Sequence, residues 1–150
     1  MPRLSALVRA HTEEKRLAAC LESLSFADEL VVMPHRRTAG AEACTGDWIL
    51  EIDADELVGV ALAEEIRDTV NSAIEPAHFL IPIDHCAGHR LIRQDAETRL
   101  YRRGAKLIGL GGGRLVNPLF HRVEDELSDR LRRLFSVLHV RPMPNHQAAE

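Results

Sequence analysis

Between Leu4 and Met33 the hydrophobic pattern changes period twice, and nothing else in the chain constrains its fold as much. Leu4 to Ala10 (LSALVRA) is a short apolar run of strand length. His11-Thr12 breaks it. Thr12 is a good helix N-cap, and Glu13 and Glu14 put negative charge in the first turn, where the helix dipole favours it. Leu17, Cys20, Leu21 and Leu24 then recur at helical spacing, which predicts an amphipathic helix from about Glu13 to Leu24. Glu29 to Met33 (ELVVM) is a second strand, stopped by Pro34. Strand, helix and strand in this order form a βαβ unit, so the two strands must run parallel.

The α/β pattern continues. Ala39 to Cys44 suits a short helix, ended by Thr45-Gly46. Asp47 to Asp53 (DWILEID) is apolar enough for a central parallel strand. The expected sheet has Leu4–Ala10 at its centre, between Glu29–Met33 and Trp48–Asp53. Leu62, Ile66, Val70 and Ile74 share one face of a second amphipathic helix. Ala77 to Ile83 reads as a strand, and Pro82 suggests a sheet edge or a strand end. Asp84 to Gly88 reads as a turn. Glu97 to Arg103 alternates like a half-buried strand, with Lys106 to Gly109 as its partner. Farther on, Val123, Leu127, Leu131, Leu134, Phe135 and Leu138 fit a helical stripe, while Arg133 to Val140 fits a strand equally well. The back half is therefore mixed and mainly antiparallel.

The chain has 150 residues, the size of one domain, and folding should bury roughly 70% of its extended surface. Its 45% hydrophobic and 28% charged residues exclude a disordered, collagen-like or disulfide-scaffold protein. With 19 basic and 23 acidic residues the net charge is −4, so bulk attraction to nucleic acid is not expected. Lys15 and Lys106 are the only lysines, so the basic set is almost all arginine, whose planar fork suits phosphate and carboxylate. Cys20, Cys44 and Cys86 are odd in number and form no CxxC, which fits reduced thiols in the cytoplasm. No apolar run has membrane-spanning length, and the first residues lack a secretion signal.

Chemistry concentrates at Asp53-Ala54-Asp55-Glu56. Ligands of open α/β sheets bind beyond the carboxyl ends of strands. Two acids two residues apart in a turn can face one ligand, and their hard oxygens suit Mg²⁺ or Mn²⁺ carrying a diphosphate. The plainer role is an acidic loop leading into the next helix. Asp84-His85-Cys86-Ala87-Gly88-His89 offers further metal-ligating types, but without a second cluster it reads as a polar loop. Gly109 to Gly113 lacks a phosphate-loop pattern and reads as a flexible connection. Arg99 and Arg103 share a strand face, read as exposed and basic or as a contact for an acidic or phosphorylated acceptor.

Several stretches together resemble the family 2 glycosyltransferases of GT-A fold, above all those acting on lipopolysaccharide core and related envelope glycans. Ala10 to Leu17 followed by Cys20-Leu21-Glu22-Ser23-Leu24 is similar to the family's first turn and helix. Phe26-Ala27-Asp28-Glu29-Leu30-Val31-Val32 resembles its second strand. Ala43-Cys44-Thr45-Gly46-Asp47-Trp48-Ile49-Leu50-Glu51-Ile52-Asp53-Ala54-Asp55-Glu56 resembles the family's segment almost throughout. Looser matches are Thr98 to Gly104, Phe120-His121-Arg122-Val123-Glu124 and Val137-Leu138-His139.

The resemblance implies a single domain over residues 1–141. Residues 1–60 would form the donor half, 61–141 the acceptor half and 142–150 a flexible tail. It implies metal-assisted, inverting transfer from a nucleotide-diphosphate sugar to a glycan or lipid-linked acceptor. The place would be the cytoplasm, at most in peripheral contact with the inner face of a membrane. Asp53 would lie near the ribose or the metal, and Asp55 would hold Mg²⁺ or Mn²⁺. Glu13 would be a further donor contact. Glu124 or Asp125 would serve as the catalytic base, with Asp84 and Asp95 as alternatives. His121 and His139 become site candidates on the same ground. The sequence also departs from the family pattern. Met33-Pro34-His35-Arg36-Arg37 stands where the family keeps a nucleotide-contacting Asp-Ser-Gly-Ser-Thr-Asp segment, and about one βαβ unit is missing. Arg36 and Arg37 are the residues that would grip a diphosphate instead. Thr38 replaces an asparagine, and Arg122 replaces a glutamate. The rival expectation is therefore a non-catalytic remnant acting as a binding module.

Overall fold

The computed structural model describes residues 1–10, 15–34, 40–72, 75–105 and 112–123. Glu13, Arg36, Arg37, Glu124, Asp125 and His139 lie outside the described residues. So do the helix-or-strand segment after Val123, the strand expected at 106–109 and the tail at 142–150.

The parallel core is as expected. β1 (Leu4–Ala10) pairs in parallel with β2 (Glu29–Pro34) on one side and with β3 (Trp48–Asp53) on the other. β1 is buried from Leu4 through Val8, as a strand covered on both faces must be. α1 (Leu17–Ser23) supplies the first crossover, and a short 3₁₀ turn at Ala41–Ala43 lies on the second.

The starts of these strands are tied by a polar staple. The Glu29 carboxylate accepts from the Ser5 hydroxyl and from the Thr45 amide at 2.8 Å. Ser5 Oγ in turn accepts from the Gly46 amide at 2.8 Å. A Cβ on Gly46 would sit 2.6 Å from Ser5 Oγ and 2.7 Å from its backbone nitrogen, so only glycine lets the strands approach this closely. The Ser5 hydroxyl and Thr45 amide hold the Glu29 carboxyl below its usual range.

After β3 come β4 (Glu56–Val58), α2 (Val60–Ser72), the long hairpin β5 (His78–Ala87) and β6 (Arg90–Arg102), β7 (Gly113–Arg114) and β8 (Leu119–Arg122). The sheet order is β2-β1-β3-β6-β5-β8-β4, with β7 alongside β5. Only Ala54 and Asp55 separate β3 from β4, yet three strands stand between them in the sheet. Two linking residues span at most about 11 Å. The sheet must therefore curl until its far end returns to the end of β3.

One face of the curled sheet carries the main core. Leu4, Ala6, Val8, Trp48, Leu50, Ile52, Ile81, Ile83 and Leu100 pack there against Cys20 and Leu24 and against Leu62, Ile66 and Val70 of α2. Burying each large apolar side chain contributes roughly 1.5–3 kcal/mol. A smaller cluster of Leu7, Cys44, Ile49 and Tyr101 covers the opposite face.

Several expectations for the back half need correction. Asp84 to Gly88 is not a turn: β5 runs through Ala87, and only Gly88 and His89 turn, with Gly88 at φ +61°. Polar residues on both faces of a projecting hairpin look like a loop in sequence. The Ala77–Ile83 segment is not an edge either, since β5 lies between β6 and β8. Pro82 is tolerated because it falls between two short partners: β7 pairs with Phe79 and Leu80, and β8 starts opposite Ile83. The second helix is described over Val60–Ser72, and Ile74 lies outside the described residues.

Arg99 is buried at 7% exposure, not on an exposed basic face. A register shift causes this. Phe79 pairs with Leu100 and Leu80 with Thr98, so Arg99 is the extra residue of a β-bulge. A bulge breaks the two-residue alternation and re-aims its side chain.

Candidate functional site

The acidic turn lies at the carboxyl end of β3, beside β1, where the Ala54 amide donates to the Arg9 carbonyl at 2.9 Å. Glu56 closes the turn from within: its Oε1 accepts the Asp53 amide at 2.7 Å. Glu56 is 2% exposed, whereas the Asp53 and Asp55 side chains keep 40% and 35% exposure. The chain thus buries one acid of the turn and presents two.

The buried acid is matched by Arg99. Arg99 Nη1 and Nη2 donate to Glu56 Oε1 and Oε2 at 2.8 and 3.0 Å, a bidentate pair. Arg99 also donates to the Glu51 carbonyl at 3.1 Å and to Glu97 Oε2 at 2.8 Å. Its Nη2 stands 3.7 Å from Asp53 Oδ2. Burial pushes the Glu56 carboxyl up, against the pull of Arg99 and the Asp53 amide. Burial disfavours the Arg99 charge, but the Glu56, Asp53 and Glu97 carboxylates together outweigh it and raise the arginine pKa further.

Asp55 is held from the other side. His121 of β8 donates from Nε2 to Asp55 Oδ2 at 2.7 Å. Its Nδ1 lies 2.7 Å from Nδ1 of His85 on β5. His85 Nε2 donates to Asp95 Oδ1 at 3.1 Å, and the two rings meet edge to face. A continuous chain of contacts therefore runs from Asp55 to the projecting hairpin. Near the same end of the sheet Arg16 donates to the Arg122 carbonyl at 2.8 Å, and Cys20 Sγ lies 3.6 Å from the Asp53 carbonyl.

Of the site residues expected from sequence, the structure brings Asp55 and His121 into contact and puts Asp53 beside Arg99. Asp84 accepts from Gln94 at 2.6 Å, and Asp95 is engaged by His85 and by Arg93 at 3.5 Å. Sequence reasoning placed Glu56 in the acidic turn, weighed Arg99 as an acceptor contact and His85 as a ligand type in a polar loop, but not the Glu56–Arg99 and His85–His121 contacts. No local pattern marks these contacts, because the partners lie on other strands.

Carboxylate oxygen and imidazole nitrogen are donors that Mn²⁺ accepts. Asp55 and His121 therefore fit a divalent cation as a pair. Among the described residues no three His, Cys, Asp or Glu side chains form a metal-binding group. A cation here would complete its coordination with phosphate oxygens and water, as Mg²⁺ commonly does.

No family model matches the sequence, and no curated protein does. Solved structures do match. One is the crystal structure of Staphylococcus aureus TarS 1–349 in complex with UDP, with a TM-score of 0.52 at 14% identity. The alignment covers 97% of this chain and 68% of that one. The chain thus has a mixed α/β fold with a curled sheet, similar to that of the UDP-bound TarS chain. Among the described residues no helix is long and apolar enough to cross a membrane.

Proposed function

We propose that the chain is a GT-A glycosyltransferase, shortened by about one βαβ unit, that binds a nucleotide-diphosphate sugar at the Asp53–Asp55 turn. It transfers the sugar, with inversion, to a glycan or lipid-linked acceptor of the cell envelope. The observation that carries this reading is the Asp55–His121 contact at the carboxyl end of a central parallel strand. This is where α/β sheets hold their ligands, in a fold shared with a UDP-bound chain. Asp55 and His121 would hold Mg²⁺ or Mn²⁺, which when bound offsets charge on the leaving nucleotide diphosphate. Asp53 would face the ribose or the cation, with Arg99 balancing its charge from inside the sheet. Glu13 would add a donor contact, and Glu124 or Asp125 would take the proton of the acceptor hydroxyl. The transfer would take place in the cytoplasm or at the inner face of a membrane.

Arg36 and Arg37 stand in place of the family's nucleotide-contacting segment. They supply charge for a diphosphate but no packed wall for a base, so donor binding should be weak, poorly base-selective and salt-sensitive. The same substitution favours a second reading, a binding module without transfer. Calorimetry with UDP, GDP, ADP and CDP, with and without Mn²⁺, tests both. Mn²⁺-dependent binding that weakens with salt, and weakens again in Arg36→Ala/Arg37→Ala, is the expected result. Absence of binding at low salt with Mn²⁺ overturns the transferase reading.

A further inference from the structure

We infer that Arg99 and Glu56 are positioning residues that set the geometry of the acidic turn, a role that rests on the reading of that turn as the nucleotide site. Three observations lead there. First, the pair is a poor way to gain stability. Taking both charges out of water is costly, and apolar residues of similar volume often hold a core as well or better. Second, the pair's contacts converge on the turn. Glu56 Oε1 accepts from both Arg99 Nη1 and the Asp53 amide, and Arg99 Nη2, which donates to Glu56 Oε2, also lies beside the Asp53 carboxylate. Third, the backbone is irregular where it delivers this side chain: Arg99 is the bulged residue of β6, opposite the Phe79–Leu80 shift. A regular strand would alternate past this point.

The arrangement acts as a bolt across the curl. β4 and β6 are not neighbours in the sheet, yet the fork joins them directly beneath the turn. Asp53 is thereby fixed through both its amide and its carboxylate. Asp55, two residues on, inherits a fixed starting point from which to meet His121. Residues that orient groups at a binding centre typically change affinity there 10–100-fold when replaced.

The test separates holding the fold from setting the turn. In Glu56→Met/Arg99→Met the core stays filled and no charge is left buried alone. Melting temperature, UDP affinity in Mn²⁺ and hydrogen exchange at the Asp53 amide are measured in this variant and in the unaltered chain. A near-unchanged melting temperature, 10–100-fold weaker Mn²⁺–UDP binding and at least tenfold faster Asp53 exchange are expected. Unchanged binding in a folded variant overturns the positioning role while leaving the nucleotide site standing. If the unaltered chain binds no nucleotide, the functional reading fails. The exchange then decides the rest: acceleration at Asp53 upholds the turn-setting role, and unchanged exchange overturns it. Should the double variant not fold, Arg99→Lys and Glu56→Gln carry the same measurements. Lysine keeps the charge without the fork, so it should fold and bind Mn²⁺–UDP more weakly; full affinity in Arg99→Lys overturns the inference.

Discussion

The two halves of the sheet are built on different principles. In the parallel half, β2-β1-β3, apolar residues bury β1 on both faces, and a polar staple around Glu29 ties the strand starts. In the other half, β6-β5-β8-β4, the end of the hairpin projects, and β6 is exposed from Arg90 through Asp95. Its polar residues reach back to the acidic turn instead. The parallel half carries the two exposed acids, and the other half holds them in place. Scaffold and site chemistry are thus divided between regions that only the curl brings together.

The largest effect should come from breaking the bolt on one side. Arg99→Ala leaves Glu56 buried without its partner, which should cost about 3–5 kcal/mol in urea unfolding. A loss below 1 kcal/mol would mean that Glu56 is not left as a buried, unpaired charge in the variant. Next is Leu50→Ala, which opens a cavity where β3 is fully buried and should cost about 2–5 kcal/mol. The matching change in the hairpin, Leu91→Ala, removes a side chain that is 54% exposed and should stay within about 0.5 kcal/mol. Similar costs at the two positions would erase the contrast between the halves.

A smaller effect follows from Glu29 and from Asp28, whose carboxylate accepts the Leu4 amide at 2.7 Å. Both have folded pKa values below their unfolded ones, Glu29 chiefly through Ser5 and Asp28 chiefly through the Leu4 amide. Their stabilisation is complete above the unfolded carboxylate range, near pH 5 and higher. It is lost as pH falls through the folded values. Melting temperature should therefore drop on acidification below about pH 4.5, and Glu29→Gln should flatten that drop. An acid limb unchanged by Glu29→Gln would remove the staple from the account.

The same division explains what the sequence reveals. Leu4–Ala10 and Trp48–Asp53 announce themselves because buried parallel strands read as apolar runs, and Glu29–Met33, although a half-exposed edge strand, carries an apolar run of its own. Asp53 and Asp55 stand out because two acids end such a run. β4 is hidden because three residues carry no period, and Arg99 because a bulge cancels the alternation that would place it. His85 lies in a hairpin arm that resembles a loop. His121 draws notice only through the resemblance, and its partner Asp55 is 66 residues away.

The most direct measurement is the Mn²⁺-dependence of UDP affinity in the unaltered chain and in Asp55→Asn, with melting temperatures alongside. The account predicts that Mn²⁺ tightens UDP binding to the unaltered chain. In Asp55→Asn that gain should vanish while the melting temperature stays nearly constant, because this carboxylate is partly solvated. A marked fall in melting temperature with undiminished Mn²⁺-dependent affinity would contradict it, making Asp55 a structural partner of His121 and placing the nucleotide elsewhere.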